Sequence, residues 1–309
     1  MTLNILFVGS DDDWAQFGPD LQSELSALPQ KIDLRRDHAH EKTDYIVMAG
    51  SRILDDFSGF TRCKALLRLW AGVEDITRND TITMPICRMV GGGLDQGMVE
   101  WVTAHTLRHH IGMDAHIHGQ DGVWRNTVMA PLAKERPVTI LGLGALGTAC
   151  AKALAGLGFP VTGWSRSKKN VDGIRCLSGP VKDALKDAQI VVLLMPLTPD
   201  TKHVINMDTL AALPRGAFLL NPGRGPLIKD ADLLAALDDG QIAHATLDTF
   251  RHEPLPEDDP YWAHPKVTVT PHIASATRAD IAAKVIAENI QRGEAGDPFL
   301  HEVDRQAGY

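Results

Sequence analysis

Val138-Thr139-Ile140-Leu141-Gly142-Leu143-Gly144-Ala145-Leu146-Gly147 is the stretch that most constrains what this chain can fold into. Its first four residues form a short run with β-branched side chains, the pattern of a parallel strand covered on both faces. Gly142, Gly144 and Gly147 then fall at G-x-G-x-x-G spacing. The first glycine permits a sharp turn, the second a close backbone approach to a pyrophosphate, and the third tight packing of helix on strand. Ala145 to Leu157 is rich in Ala and Leu, which predicts a helix. Its first N–H groups, at Ala145 and Leu146, and its positive dipole end suit phosphate. Gly156 and Gly158 end that helix, and Val161-Thr162-Gly163-Trp164 supplies the next strand. A glycine turn alone is weak support for a nucleotide. Strand, turn, helix and second strand together predict a dinucleotide site, to which Pro196, closing the apolar strand Ile190 to Met195, also belongs.

The end of the second strand selects the dinucleotide. An NAD site carries Asp or Glu about 20 residues beyond the glycines, to hold the ribose 2′-hydroxyl. Ser165-Arg166-Ser167-Lys168-Lys169 stands there instead, with no acid. A 2′-phosphate carries nearly two negative charges near neutral pH. Arg166 can bind it bidentately, Lys168 or Lys169 as a point charge, and Ser165 by donating a hydrogen bond. These residues predict NADP, with NAD the weaker fit and a solvated basic loop the plainer alternative. The chain as a whole has a net charge of −8. That acidic balance disfavours nucleic acid and anionic membrane as partners, so the basic cluster serves something small.

The 309 residues, 44% of them hydrophobic, are enough for two domains with separate cores. The first part alternates strands and helices, the pattern of an α/β domain. Strands are expected at Asn4 to Gly9, Lys31 to Arg36, Tyr45 to Ala49, Ala65 running into the Gly72 turn, and Ile86 to Val90. A helix opens at Asp11, Asp12 and Asp13, where acids suit the dipole. Gly91-Gly92-Gly93 reads as a hinge and Met98 to His110 as the helix entering the next domain. This divides the chain into a first domain of residues 1–97 plus 277–309 and a dinucleotide-binding domain of residues 98–276. Four cysteines without a C-x-x-C pair suit reduced, mostly buried thiols in the cytoplasm. No run of about 18 apolar residues or signal-like start occurs, so no membrane segment is expected. His105 and His109 are four apart and share a helix face, but no acid or H-E-x-x-H accompanies them. Polar helix surface or a subunit contact is the expectation for His105, His109 and His110, and no metal is expected.

Three later segments each place a polar residue at the C-terminal end of an expected parallel strand, where open α/β sheets bind ligands. Asn221-Pro222-Gly223-Arg224-Gly225 follows one, His252-Glu253-Pro254 the next, and Thr270-Pro271-His272-Ile273 the third. Singly, Arg224 could be a surface salt bridge, Glu253 a loop acid and His272 a cap. Together behind a dinucleotide motif they supply a carboxylate binder, an acid/base and its orienting carboxylate.

At this point the chain resembles the D-2-hydroxyacid dehydrogenase family, and within it the glyoxylate/hydroxypyruvate reductase A group. The resemblance covers nearly the whole chain. It rests on Leu69-Trp70-Ala71-Gly72-Val73, the glycine motif, Trp164-Ser165-Arg166, Leu220 to Gly225, Leu233 to Leu237, Arg251 to Pro256, Thr270 to His272, and the tail Val303-Asp304-Arg305 through Gly308-Tyr309. Pro222 and Gly223 depart from the small residues usual before the arginine, and Ala49 and Gly50 replace bulkier ones. The resemblance implies two parallel-sheet α/β domains, one Rossmann-like and one flavodoxin-like, with a cleft between them. It also implies an NADPH-dependent reductase of small 2-oxo acids, with glyoxylate and hydroxypyruvate leading. Arg224, Glu253 and His272 become catalytic. The Ala71 to Val73 backbone becomes a second carboxylate cradle, with Trp70 flanking it or serving only as core. The irregular Gly112 to Arg136 segment, with Trp124, resembles the family's dimer arm. A preference for larger acids such as phenylpyruvate, or a nucleotide-sensing binding protein on the same fold, are the alternatives.

Overall fold

A computed structural model describes residues 2–50, 54–91, 93–124, 126 and 129–305. Gly92 of the expected hinge, Arg125, Thr127 and Val128 of the irregular segment, and Gly308 and Tyr309 of the tail lie outside the described residues. The chain divides into two compact units, Met1–Leu94 with Thr277–Tyr309, and Asp95–Ala276.

Among the described residues the first unit is built on five strands, β1 (Thr2–Val8), β2 (Lys31–Arg35), β3 (Tyr45–Met48), β4 (Ala65–Arg68) and β5 (Ile86–Cys87). They are all parallel, in the order β2-β1-β3-β4-β5, the flavodoxin-like order. Tyr45-Ile46-Val47-Met48 is buried throughout, as a central parallel strand must be. Helix α1 (Asp11–Ser26) starts at Ser10, whose hydroxyl accepts from the Asp13 N–H while the Asp13 carboxylate accepts from the Ser10 N–H. The C-terminal helix Ala279–Ala295 packs along α1 and ends at Gly296 with φ +77°. Beyond it Val303 joins the core, and Arg305 donates to the carbonyls of Thr77, Asn79 and Ile82, so the described tail folds onto this unit. The strand expected to run from Ala65 toward Val73 stops at Arg68, and the one expected from Ile86 to Val90 stops at Cys87. Trp70 is therefore a turn residue and not a strand residue.

The second unit opens with α2 (Leu94–His110) and the short α3 (Met113–His118). Its sheet holds β6 (Val138–Leu141), β7 (Val161–Trp164), β8 (Arg175–Leu177), β9 (Ile190–Leu193), β10 (Ala217–Asn221), β11 (Ile242–Leu247) and β12 (Val267–Val269). Helix α4 (Ala145–Gly156) connects β6 to β7. The seven strands are parallel in the order β12-β11-β10-β9-β6-β7-β8, a Rossmann order with one strand added. The chain reverses its direction of travel across the sheet between β6 and β9. A crevice at such a switch point is where open sheets bind ligands.

The α2 histidines correct the expectation made for them. His109 and His110 are buried, not surface. The His109 ring stacks on Phe218 at 4.8 Å, with Nε2 at 2.9 Å from Thr246 Oγ1. His110 meets the Phe159 ring edge-on. Burial pushes His109 down to about 3 and His105 to about 4, so both imidazoles are neutral packing groups at neutral pH.

Candidate active site

The three glycines of the motif do different work in space. Gly142 has φ +115°, and a Cβ there would meet the Leu194 carbonyl at 2.5 Å. This glycine lets β6 turn directly against the end of β9. A Cβ on Gly147 would lie 1.8 Å from the Gly142 oxygen, so only glycine lets α4 sit this close to the turn. Gly144 is the opposite case: nothing stands within 4 Å of a Cβ built on it. It is the N-cap of α4, whose first turn at Ala145 and Leu146 leaves N–H groups facing outward from the helix end. Two closed glycines and one open one fit a backbone that must approach a pyrophosphate at Gly144. Pro196 follows Leu194 and Met195, the residues packed on Gly142, and its carbonyl accepts from Thr201 Oγ1 at 2.7 Å.

The cluster after β7 lies at the C-terminal end of the strand next to β6. Arg166, Lys168 and Lys169 are exposed, and Ser165 is buried. The Ser165 hydroxyl, expected to face a phosphate, donates within the loop to the Ser167 carbonyl at 2.7 Å. No acid stands within Ser165–Lys169 itself to repel a 2′-phosphate.

Arg224, Glu253 and His272 follow β10, β11 and β12, three adjacent strands. Gly225 explains how the first two loops meet: a Cβ there would fall 2.0 Å from the Phe250 carbonyl carbon, so the Arg224 loop lies directly on the Phe250–Arg251 backbone. Glu253 accepts from the Phe250 N–H through Oε1 at 2.8 Å and from His272 Nδ1 through Oε2 at 2.7 Å. The His272 bond raises that ring above its ordinary value of 6.5, with burial and Arg224 opposing and Asp248 helping. Burial works against the Glu253 carboxylate, but its bonds to His272 and Phe250 leave its pKa below the ordinary value. The Arg224 charge acts on both groups, and Nη1 donates to the Gly223 carbonyl at 2.7 Å. Nδ1 is thus committed to the carboxylate, and Nε2 is left for a reacting group.

A family model described as D-isomer specific 2-hydroxyacid dehydrogenase, NAD binding domain, matches residues 101–274. The chain is 38% identical to glyoxylate/hydroxypyruvate reductase A of Serratia proteamaculans, over 80% of this chain and 82% of that one. With the same-named protein of Photorhabdus laumondii it shares 33% identity over 99% and 100% of the two chains. Among solved structures, a D-isomer specific 2-hydroxyacid dehydrogenase from Xanthobacter autotrophicus in complex with NADPH and MES superposes with a TM-score of 0.92 at 36% identity, covering 100% of both chains. An NADPH-dependent glyoxylate/hydroxypyruvate reductase from Sinorhizobium meliloti, in complex with NADP and sulfate, gives 0.86 at 30% identity, over 100% of this chain and 99% of that one. This chain belongs to the D-isomer specific 2-hydroxyacid dehydrogenases.

Two further residues of this dehydrogenase hold the site together: Asp248, which sequence did not single out, and Asn221, which opens one of the strand-end segments. Asp248, one residue past β11 and wholly buried, accepts from Thr270 Oγ1, the Ile273 N–H and the Ala274 N–H at 2.5, 2.9 and 2.9 Å. Its own carbonyl accepts from the His272 N–H at 2.9 Å. His272 has φ +52°, an unusual backbone state for a side chain of its size, and these bonds hold it there. Asn221, also wholly buried, accepts from the Gly223 N–H and donates to the Arg224 carbonyl at 3.0 Å, which shapes the arginine loop around Pro222. Neither has a sequence signature beyond lying near a strand end.

Within the first unit, the Trp70 to Val73 turn follows β4. The Trp70 ring packs edge-on to Phe17 at 6.2 Å. The Val73 N–H, expected to face a substrate carboxylate, donates to Glu74 Oε2 at 3.0 Å. A carboxylate oxygen therefore already sits on this amide, supplied by the chain itself.

Proposed function

We propose that this dehydrogenase reduces small 2-oxo acids, glyoxylate and hydroxypyruvate first, to D-2-hydroxy acids with NADPH. The observation that carries the reading is the 2.7 Å Glu253–His272 pair with Arg224 in electrostatic reach, on three adjacent strand ends. The reading draws further support from relatives named glyoxylate/hydroxypyruvate reductase A and from a structural neighbour described as NADPH-dependent. Residues 98–276 form the dinucleotide-binding domain and residues 1–97 with 277–309 the substrate domain. Gly142, Gly144, Ala145, Leu146, Gly147 and Pro196 receive the pyrophosphate side of the cofactor. Arg166, with Lys168 or Lys169, receives the 2′-phosphate, and Ser165 shapes that loop through its bond to Ser167.

NADPH held at these residues would supply the hydride for reduction. Arg224 holds the substrate carboxylate with its planar fork and polarises the neighbouring carbonyl, a geometry that lysine lacks. His272, protonated, gives its Nε2 proton to the developing alkoxide. Glu253 fixes the ring and favours the imidazolium. Within the substrate domain, the backbone of Ala71, Gly72 and Val73, beside Trp70, is the expected second carboxylate-binding group. Aldehydes and ketones without a carboxylate are poor substrates, because they leave these donors unpaired.

The protein acts as a homodimer in the cytoplasm. Ile117, Val123, Trp124, Met129 and Leu132 are exposed apolar side chains within one stretch, which supports a partner there. Among the described residues no helix is long and apolar enough to cross a membrane, and the cysteines are free thiols. The test is loss of NADPH or NADH absorbance with glyoxylate, hydroxypyruvate, pyruvate and phenylpyruvate. The expected order puts glyoxylate and hydroxypyruvate first, with NADPH preferred. Phenylpyruvate leading by more than about tenfold, a factor worth about 1.4 kcal/mol, would displace the substrate assignment. NADPH binding without turnover of any of the four would favour a nucleotide sensor.

A further inference from the structure

Arg68 ends β4 and is only 4% exposed, where its strand neighbours Leu66 and Leu67 are apolar. Burial lowers its pKa, with Asp75 as the main opposing charge. Its guanidinium joins two separate turns. Nη1 donates to the Gly50 carbonyl after β3 at 3.0 Å, and Nη2 to the Gly72 carbonyl after β4 at 3.3 Å. Nη2 also lies 3.2 Å from Asp75 Oδ2, while Nε is buried with no hydrogen-bond partner among the described residues. A buried cation with a donor to spare is costly if its task is only to satisfy two carbonyls.

The Gly72 carbonyl that Arg68 grips and the Val73 N–H belong to the same peptide unit. That N–H is the donor occupied by the Glu74 carboxylate at 3.0 Å. A cationic donor on the carbonyl side polarises the peptide and makes its N–H a stronger donor, because linked hydrogen bonds reinforce one another. We propose that Arg68 is a positioning residue for carboxylate recognition: it locks the Gly72–Val73 peptide to the Gly50 turn and strengthens that amide as an anion donor. The inference rests on the 2-oxo acid reductase reading, in which the substrate carboxylate takes the place that Glu74 occupies. Arg68 itself touches no substrate.

Steady-state kinetics of the full-length parent, R68K, R68M and D75N with glyoxylate and NADPH tests it, alongside NADPH titration followed by its fluorescence. Lysine keeps the charge but cannot grip two carbonyls with a planar fork. R68K is expected to raise the KM for glyoxylate about tenfold or more, with kcat within about threefold and NADPH affinity unchanged. R68M is expected to raise it further. A glyoxylate KM in R68K within about twofold of the parent overturns the proposal. Equal weakening of glyoxylate and NADPH also overturns it, since that marks general support of the fold. If R68M does not fold, D75N decides: removing the counter-charge should lower the glyoxylate KM, and an unchanged or higher KM counts against the proposal. A parent that turns over no 2-oxo acid sinks the functional reading and this inference with it. An active parent with an unaffected R68K sinks the inference alone.

Discussion

The bond that tunes His272 lies on the Nδ1 side of its ring. Its Nδ1 is held at 2.7 Å by Glu253, and this bond keeps the imidazolium populated above its ordinary range. A general acid with a raised pKa stays competent as pH rises, and reduction is lost only as pH climbs through that raised value. Glu253→Gln removes the charged acceptor, so the alkaline limb of kcat/KM for reduction should move down by about one unit, in line with a charged hydrogen bond discounted for partial exposure. Rate profiles of parent and variant between about pH 6 and 9 check this; superimposable alkaline limbs would show that Glu253 does not tune the ring. The strand-end placement of Glu253 and His272 was legible from sequence, because each follows an expected strand in a chain that already carried a dinucleotide motif. Asp248 was not: a buried aspartate after a strand looks like any loop acid until its bonds to Thr270, Ile273 and Ala274 are seen.

The β6–turn–α4 element separates structural from binding roles among glycines. Gly147→Ala puts a methyl on the Gly142 oxygen, where a Cβ would be 1.8 Å away. It should destabilise the protein by about 2–4 kcal/mol, in the range of overpacking and backbone strain. Gly144→Ala meets nothing within 4 Å. It should leave stability within about 0.5 kcal/mol while weakening NADPH at least about tenfold, if the methyl enters the space proposed for the pyrophosphate. Denaturant titration with NADPH titration separates the two; a Gly144→Ala protein that binds NADPH like the parent would remove the pyrophosphate from this turn. Fully buried strands such as β6 and β9 were readable, short as they are, because burial on both faces imposes a mostly apolar, β-branched run. β8, only Arg175–Leu177, carries no such run and passed unseen. The α2 histidines misled for a related reason: polarity suggested surface, but His109 buries its ring on Phe218 and meets its polar need with Thr246.

At the scale of the molecule, exposed apolar surface is concentrated where the sequence loses its periodicity. Trp124 is 89% exposed and Met129 90%. A single chain gains nothing from that exposure, so sedimentation at micromolar concentration should show a dimer, and Trp124→Ser should shift it toward monomer; a parent that sediments only as monomer contradicts the assembly. The two-sheet plan was legible from strand and helix alternation, whereas the strand orders came only through the family resemblance, since order is set by long-range pairing rather than local pattern. His272 is the proposed proton donor of this family member. The measurement that tests it most directly is kcat/KM for glyoxylate reduction by NADPH in the parent and in His272→Ala, with NADPH affinity confirmed in both. A loss of about two to four orders of magnitude at unchanged NADPH affinity is expected for removal of a general acid; near-parental turnover in His272→Ala would contradict the account.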